Sequence, residues 1–496
     1  MTISFALREL PLALKSNGEG SLQDAISDAL RSAIQEGRLR PGARVPSSRD
    51  LARQLRVARG TVVLAYERLA REGYLRGARG GGTVVVESLP EHWLAPRRTP
   101  TPASRAERSV ALSKRGERLA HSPFPIGPLP PPRPFRPHMP AVDAFPAQLW
   151  AGLVARHARN PRPDRLREVD AKGYAPLREA LAEHLRVYRG VACAADHVVI
   201  AGGTQQLLDV TTRLLLDEGD AAWMEEPGHF GAREILRAAG ARLVPVPVDG
   251  EGIDVDAGIA AAPDARLAFV TPARQSPLGA TLSLQRRVKL LEWARRNSAW
   301  VFEDDYDSEF RYDGRPLPAL QGIDRNGVVI YSGTFAKTMF PGIRLAYAVL
   351  PDCLVAPFAS ALSLLSRYVP LLPQLALADF ISGGHFARHL RRMRMLYAER
   401  RESLLGALES RLGDGIEIVG SSAGLDVVAR LPPGVSDRAV ARIALGLEVE
   451  TIPLSRYAIR PERRGGLVLG FAAVPAARSL RAIPALRSAI EQGRPD

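Results

Sequence analysis

Residues Ser332–Arg344, SGTFAKTMFPGIR, contain the lysine on which the interpretation of this chain depends. Lys337 follows a predicted strand, so we expect it in a loop at the carboxyl end of that strand, where α/β sheets bind ligands. Ser332 and Thr334 precede it and Arg344 follows it. An amine, two hydroxyls and a guanidinium can together bond a carbonyl compound and hold a phosphate.

A second predicted strand, residues 300–303, ends in the carboxylates of Glu303, Asp304 and Asp305. Unpaired buried charge is costly, so we expect a cationic partner for this cluster. A pyridinium nitrogen supplies one. Together with Lys337, the set suits pyridoxal phosphate, whose carbonyl bonds a lysine and whose ring nitrogen pairs with a carboxylate.

A further phosphate site is predicted where Gly203, Thr204 and Gln205 of the GGTQQ motif begin a helix after a strand. Helix N-termini present free N–H groups and the positive end of the helix dipole. The motif therefore adds an anion site to the lysine and carboxylate sites.

Beyond residue 140 the chain alternates short apolar runs with amphipathic stretches. This pattern predicts a largely parallel, doubly wound sheet with helices on both faces, and a smaller α/β subdomain over about 398–496. The predicted strands are His197–Ala201, Ala221–Met224, Arg242–Val248, Leu267–Thr271, Trp300–Glu303, Val328–Tyr331 and Leu345–Leu350.

The first 87 residues predict three helices and a hairpin. Helical spacing runs over Ser21–Glu36, from the predicted N-cap Ser48, and from Val62 towards Gly73, and strands flank the glycines at 80–82. This order describes an α+β winged helix-turn-helix. Arg49, Arg59 and Thr61 lie where a recognition helix enters the major groove, and Arg79 and Gly80 lie at the hairpin tip, where backbone can approach phosphates.

The predicted domains are therefore a winged helix at 1–87, a Pro- and Arg-rich linker at 88–140 and a large α/β domain at 141–496. Proline fixes φ and lacks an N–H donor, so the middle segment cannot sustain helix or central strand. Its later part carries apolar side chains that a solvated linker does not need, and we expect that part to pack on the large domain.

Charge is distributed unevenly along the chain. The net charge is +14, of which +5 lies in residues 1–87, +6 in 88–140 and +3 in the rest. This distribution favours a nucleic-acid partner for the N-terminal part. With 46% hydrophobic and 24% charged residues, and without a long apolar run or paired metal-ligand spacing, we expect a cytoplasmic protein with no membrane segment and no metal site.

Residues 37–85 resemble the winged-helix domain of GntR-type bacterial transcription regulators. That family shares a G-x-L-x-P-G-x-x-L-P-S-x-R-x-L-A opening and a T-V-x-x-A-Y-x-x-L-x-x-E-G-Y helix, here GRLRPGARVPSSRDLA and TVVLAYERLAREGY. The resemblance implies contacts to double-stranded DNA by Arg49, Arg59, Thr61 and the wing near Gly80. Gly60 departs from the polar residue that is common there.

The motifs of the large domain resemble those of fold-type-I aminotransferases, and the whole chain resembles the MocR-type subfamily of GntR regulators. The resemblance implies that Lys337 forms an aldimine with pyridoxal phosphate, that Asp304 pairs with the ring nitrogen and that Tyr306 hydrogen-bonds the ring hydroxyl. It further implies that the His229 imidazole stacks on the cofactor ring and that Gln275 also binds the cofactor. The phosphate cup that it implies is formed by Gly203, Thr204, Gln205, Thr334 and Arg344.

Several positions depart from the aminotransferase pattern. His229 stands where a tyrosine is common, and Arg274 replaces a frequent histidine. Val468 stands where many of these enzymes have the arginine that binds the substrate carboxylate. Arg456 and Arg460 could substitute for it, and we interpret each singly as a surface residue.

The leading interpretation is a regulator whose aminotransferase-like domain senses pyridoxal phosphate, a small amine or an amino acid through Lys337. The resemblance implies a homodimer that reads paired half-sites of an operator. The alternative is a working transaminase with a regulatory DNA-binding domain. A cofactor-free dimerisation scaffold is disfavoured because Lys337, Asp304, Tyr306 and Arg344 are all present.

Overall fold

The computed structural model describes residues 21–78, 82–87, 111–128, 130–160, 163, 167, 170–314, 318–420, 422–461 and 464–494. The chain divides into two compact units, Met1–Val110 and Ala111–Asp496. No described helix is long and apolar enough to cross a membrane.

The described residues of the first unit form three helices and a small sheet. Its elements are α1 (Leu22–Gln35), β1 (Arg44–Val45), α2 (Ser48–Leu55), α3 (Arg59–Arg71), β2 (Leu75–Gly77) and β3 (Thr83–Val85). The sheet is antiparallel in the order β1-β3-β2, so β1 adds a strand to the predicted hairpin. A two-residue strand shows too short a pattern to be recognised in the sequence.

Buried apolar side chains hold the three helices of the first unit together, and a serine cap sets the start of α2. Leu30, Leu51, Val62 and Leu69 come from the three helices and are completely buried together. The N-cap of α2 is Ser47 and not the predicted Ser48, because the Ser47 hydroxyl accepts a hydrogen bond from the Asp50 N–H at 3.2 Å.

The second unit begins with helices that precede its main sheet. These are α4 (Lys114–Ala120), α5 (Ala147–Arg159) and α6 (Ala175–Arg189). The main sheet and its connections are β4 (Val198–Ala201), α7 (Thr204–Leu215), β5 (Ala221–Glu226), α8 (Phe230–Ala239), β6 (Arg242–Asp249), β7 (Gly252–Ile253), α9 (Val255–Ala261), β8 (Leu267–Val270), α10 (Leu284–Arg296), β9 (Trp300–Asp305), β10 (Val329–Thr334), α11 (Phe335–Thr338) and β11 (Ala346–Val349).

The main sheet has the order β4-β11-β10-β9-β8-β5-β6-β7. Neighbours from β10 to β6 are parallel, whereas β11 runs antiparallel to β10 and β4, and β7 antiparallel to β6. Alternate residues face opposite layers: Phe302 packs with α7, α8 and α12 (Asp352–Ser366), and Val301 packs with α9 and α10. Helices thus cover both faces, and the carboxyl ends of β5, β8, β9 and β10 share one edge.

A second, antiparallel sheet follows, in the order β12-β13-β15-β14. Its strands and the remaining helices are α13 (Leu371–Ser382), α14 (His385–Leu412), β12 (Glu417–Val419), β13 (Asp426–Arg430), α15 (Asp437–Gly446), β14 (Ile452–Pro453), β15 (Gly466–Gly470) and α16 (Ala476–Gln492). This is the smaller α/β subdomain.

The segment predicted as a linker, 88–140, divides at residue 111. Residues 88–110 lie outside the described part, and residues from Ala111 onward belong to the second unit. The expectation that this segment forms no helix is wrong for α4 (Lys114–Ala120), which contains no proline and is capped by Ser113. Phe124 packs on Phe230 with ring centroids 5.5 Å apart, and the completely buried Phe135 forms a β-bridge to Gly470. The Phe124 ring contact and the burial of Phe135 thus hold the later part of the segment against the second unit.

Candidate cofactor site and nucleic-acid interface

A cavity of about 240 Å³ opens at the edge where the parallel strands end. It contains nine of the ten residues predicted to bind the cofactor, namely Gly203, Thr204, Gln205, His229, Asp304, Tyr306, Thr334, Lys337 and Arg344. The tenth, Gln275, is buried beside it, where Nε2 donates to Glu225 Oε2 at 3.1 Å and to the Pro227 carbonyl at 2.9 Å. Gln275 thus braces the loop after β8 and is not part of the cavity wall.

Lys337 lies in the single turn α11, directly after β10. Thr334 caps this turn by accepting the Ala336 N–H at 3.1 Å. The Lys337 Nζ donates to the His138 carbonyl at 2.6 Å. Burial lowers the pKa of Lys337, although the carboxylates of Asp426, Asp307 and Asp304 oppose that change. Its amine is therefore more readily deprotonated, and so more nucleophilic, than a surface lysine.

The three carboxylates that end β9 have different surroundings. Glu303 accepts the N–H groups of Leu320 and Gln321 at 2.8 Å, and Asp305 accepts two bonds from Arg189. Asp304 Oδ1 is buried with no hydrogen-bond partner in the described part of the chain.

Asp305 Oδ1 is also without a partner, but Asp305 Oδ2 is bonded to Arg189 and to the Tyr331 hydroxyl. Among the described residues, Asp304 is thus the carboxylate of the cluster that is bonded at neither oxygen. Burial, with the adjacent charge of Asp305, raises the pKa of Asp304 to about 8. A cationic ring nitrogen entering the cavity would supply that partner and favour the ionised carboxylate.

The hydroxyl of Tyr306 accepts a hydrogen bond from Arg274 Nη1 at 2.8 Å. Burial raises the pKa of Tyr306, which keeps its hydroxyl protonated. The phenol can thus accept from Arg274 while it donates to an oxygen in the cavity.

The phosphate end of the cavity is formed by Gly203, the N-cap of α7, and by Arg344. A Cβ added at Gly203, whose φ is +156°, would lie 2.9 Å from Arg344 Nη2. The absent side chain therefore lets the guanidinium approach the N-terminus of α7, where an anion is favoured.

His229 is the N-cap of α8 and its Nδ1 accepts the Ala232 N–H at 3.1 Å. Burial lowers the pKa of His229 to about 3, so the imidazole is neutral. Its ring is stacked on those of Phe230 and Phe269, with centroids 5.6 and 6.4 Å away. The replacement of tyrosine by histidine thus leaves a neutral aromatic ring at the cavity wall.

These residues fit pyridoxal phosphate. The fit rests on the unpartnered buried Asp304 Oδ1, on the lysine amine in the same cavity, and on the small cradle at Gly203 beside Arg344.

His138 and Phe124 also line the cavity, although both lie in the segment predicted as a linker. The apolar residues around them were a signal that this part packs on the large domain. The φ of His138 is +60°, in the left-handed region, and the sequence around this histidine does not predict that conformation.

Three of the five predicted DNA-binding residues lie on helices of the first unit. Arg49 is exposed in the first turn of α2, and Arg59 is exposed at the start of α3, with Thr61 partly exposed in the same turn. Arg79 and Gly80 lie outside the described residues. Gly60, also in the first turn of α3, is exposed with open space around it.

Two family models match this chain, one for each unit. Residues 22–85 match the gntR family of bacterial regulatory proteins, and residues 153–457 match aminotransferase class I and II. The protein is thus a DNA-binding regulator of the GntR type whose larger domain has the fold-type-I aminotransferase architecture and binds pyridoxal phosphate.

More specifically, the chain belongs to the MocR-type subfamily of GntR transcription regulators. It is 41% identical over 478 residues to the probable rhizopine catabolism regulatory protein MocR of Rhizobium meliloti, covering 96% of this chain and 95% of that protein. It is 31% identical to the pyridoxine biosynthesis transcriptional regulator PdxR of Corynebacterium glutamicum, covering 82% of each.

Among solved structures, the chain is similar to LysN, the α-aminoadipate aminotransferase of Thermus thermophilus, complexed with N-(5'-phosphopyridoxyl)-L-leucine. The TM-score is 0.67 at 28% identity, covering 72% of this chain and 92% of that one. Kynurenine aminotransferase of Pyrococcus horikoshii gives a TM-score of 0.67 at 25% identity, covering 72% and 90%.

Proposed function

We propose that this transcription regulator responds to a small amine or amino acid that reacts at the Lys337 site and thereby changes how the protein binds its operator. The observation that carries the proposal is the position of the Lys337 amine in the cavity, with a lowered pKa and in reach of the groups suited to pyridoxal phosphate. When bound, that cofactor supplies an aldehyde carbon that either a lysine or an incoming amine can bond.

The proposed roles of the other residues follow from their positions. Asp304 holds a proton on the ring nitrogen, Tyr306 donates to the ring oxygen, and His229 covers the ring face. Gly203, Thr204, Gln205, Thr334 and Arg344 bind the phosphate. Gln275 supports the site from behind by bracing Glu225 and Pro227.

The contacts of Lys337 suggest how a change at the amine reaches the smaller sheet. Its Nζ donates to the His138 carbonyl, and the His138 N–H donates to Asp426 on β13 at 3.0 Å. When Lys337 changes partner, the segment around His138 loses a hydrogen bond to the main sheet but keeps its bond to the smaller one. An effector that favours one of these arrangements shifts the population of the two states.

The proposal includes a homodimer in the cytoplasm that binds paired half-sites. Fold-type-I sites are commonly completed at a dimer interface, and a winged helix that reads one half-site gains affinity and specificity when two copies act together. Arg49, Arg59, Thr61 and the wing at Arg79 and Gly80 are the proposed DNA contacts.

The second candidate is a working transaminase. It is favoured by the same nucleophilic Lys337 and unpartnered Asp304, because amino-group transfer needs both a lysine that exchanges its bond and a carboxylate on the ring nitrogen. Val468 gives it less support, since that position lies on β15 with a fully buried valine in place of an arginine.

The deciding experiment titrates the protein with its own upstream intergenic DNA in a mobility-shift assay, with and without pyridoxal phosphate, across a panel of amines and amino acids. Keto-acid formation is measured in the same samples. An operator affinity that changes with the cofactor or with one amine, without multiple turnovers, supports the regulator. Multiple turnovers without specific DNA binding would assign the transaminase function.

Borohydride reduction followed by peptide mass spectrometry tests the role of Lys337. We expect cofactor mass on the peptide that contains Lys337, none in the Lys337→Ala variant, and unchanged labelling in Lys289→Ala, whose lysine is on the surface of α10. Labelling that persists in Lys337→Ala would contradict the assignment.

A further inference from the structure

The buried Arg274 has all five of its N–H donors engaged by the protein itself. Nε donates to the Ala423 carbonyl at 2.8 Å, and Nη1 donates to the Tyr306 hydroxyl at 2.8 Å and to Asp307 at 3.2 Å. Nη2 donates to the backbone carbonyl of Asp426 at 2.7 Å and to its Oδ1 at 3.1 Å. A guanidinium whose N–H groups are all engaged cannot donate to another carboxylate unless one of these partners leaves.

Asp426 is the side-chain carboxylate that Nη2 of Arg274 binds. Its Oδ2 accepts the His138 N–H at 3.0 Å and lies 2.8 Å from His138 Nδ1. These partners hold the pKa of Asp426 well below its usual range, even though burial acts in the opposite direction. The carboxylate is therefore ionised, and it neutralises Arg274 from within the fold.

The other guanidiniums near the cavity do not replace Arg274. Arg344 is the arginine among the described lining residues, and it lies at the Gly203 end. Arg456 stacks on the Phe230 ring at 4.6 Å and donates to the Pro123 carbonyl, so its interpretation as a surface residue is wrong. Arg460 is exposed and is not a lining residue.

The position Val468 cannot supply a cation either. Its side chain is completely buried in an apolar cluster with Phe230, Val428, Leu454 and Tyr457. An effector carboxylate that reached this wall would thus exchange water for apolar groups, at a large cost in free energy.

We propose that the effector of this protein is a primary amine that carries no carboxylate. Arg344, at the phosphate end, is the one arginine among the described lining residues, Val468 lies in an apolar cluster, and the guanidinium of Arg274 behind Tyr306 is already neutralised by Asp426. The inference rests on the proposed function, since it names the chemical class that acts at Lys337. It also narrows the effector class of the proposed function from amines and amino acids to amines alone.

The charges around the amine agree with this assignment. Asp426 and Asp307 are buried behind the cavity wall, and both act on Lys337 in the sense that favours a cation. A cationic amine entering the site meets attraction, whereas the carboxylate of an amino acid meets repulsion from the same groups.

The test uses the full-length protein loaded with pyridoxal phosphate and three pairs that differ by one carboxylate: ethylamine and alanine, cadaverine and lysine, phenethylamine and phenylalanine. The change in cofactor absorbance gives an apparent Kd for each compound. We expect the amine to bind at least about tenfold more tightly than its amino acid in every pair that binds. Equal binding, or tighter binding of the amino acids, would overturn the inference.

A second readout separates this inference from the proposed function. Fluorescence anisotropy of labelled operator DNA is measured in the same titrations. Amine-selective binding that leaves operator affinity unchanged refutes effector control but keeps the selectivity. Operator affinity that responds to amino acids as strongly as to amines keeps effector control but overturns the selectivity. Absence of any spectral response to all six compounds overturns both.

The variant Asp426→Ala tests the residue itself. It frees one N–H of Arg274 Nη2 and removes the carboxylate bonded to His138, so we expect the preference for amines to fall by about tenfold or more and the affinity for amino acids to rise. Asp426→Asn removes the charge but keeps an oxygen that accepts from Arg274, and we expect an intermediate preference. Thermal melting and cofactor loading identify a variant that has not folded, in which case Asp426→Asn decides. An unchanged preference in the folded variants would refute the role of Asp426.

Discussion

Replacement of Asp304 by asparagine should stabilise the cofactor-free protein and weaken cofactor binding at the same time. Asp304 Oδ1 has no partner among the described residues, and its pKa is raised to about 8 from an ordinary value of 3.8. In the cofactor-free protein, the folded state therefore keeps a proton that the unfolded chain releases above about pH 4.

The sign and size of the effect follow from linkage. A raised carboxyl pKa contributes stability that is fully present below the unfolded pKa and is lost as the pH rises towards the folded pKa. At pH 7, about three pH units above 3.8, the loss amounts to up to about 4 kcal/mol. An asparagine at this position has no proton to release and would not carry this cost, so the advantage of Asp304→Asn should grow from pH 5 to pH 8.

Urea unfolding of the cofactor-free proteins at pH 5, 6, 7 and 8 measures this difference. Asp305→Asn is the matched control on the same strand. It removes the charge that accepts two bonds from the buried Arg189, so we expect it to destabilise by about 3–5 kcal/mol. The loss of a charged hydrogen bond to the ring nitrogen should weaken cofactor binding by Asp304→Asn by about 10- to 100-fold. A destabilising or pH-independent effect of Asp304→Asn would refute the reasoning.

Three further predictions concern the winged helix and the phosphate end of the cavity. Arg59→Ala should weaken specific operator binding by about 1–3 kcal/mol in a mobility-shift titration, because Arg59 is exposed at the start of α3. Ser47→Ala should destabilise the first unit by about 0.5–2 kcal/mol in thermal unfolding, because the Asp50 N–H loses its cap. Gly203→Ala should weaken cofactor binding at least severalfold in an absorbance titration, because the new Cβ would lie 2.9 Å from Arg344 Nη2.

Each of these predictions has a control on the same element or at a comparable glycine. Arg71 is exposed at the far end of α3, about 18 Å from Arg59, so Arg71→Ala should affect operator binding less. Ser47→Thr keeps a hydroxyl that can accept the Asp50 N–H and donate to the Asp50 carboxylate, and it should preserve stability. Gly219→Ala, at a φ of +97° with open space around it, introduces backbone strain away from the cavity and should leave cofactor affinity unchanged. Equal effects in variant and control would contradict the corresponding assignment.

The sequence by itself determined both fold classes and the cofactor. The three helices of the winged unit and the strands of the main sheet show helical or apolar-run patterns that depend on neighbouring residues, and so they can be read locally. Lys337 and Asp304 could be predicted together because each follows a strand, and parallel strands carry their ends to one edge of a sheet. Nine of the ten predicted cofactor residues accordingly share one cavity.

Only the tertiary structure decided which groups surround those residues. It showed that Asp304 Oδ1 lacks a partner among the described residues, whereas Glu303 is hydrogen-bonded at both oxygens and Asp305 at Oδ2. It also showed that His138 from the predicted linker lies against Lys337. It also paired Arg274 with Asp426 across 152 positions of sequence. Such pairings depend on the order of the strands and on segments distant in sequence that meet at one cavity. They cannot be predicted from a local pattern of side chains.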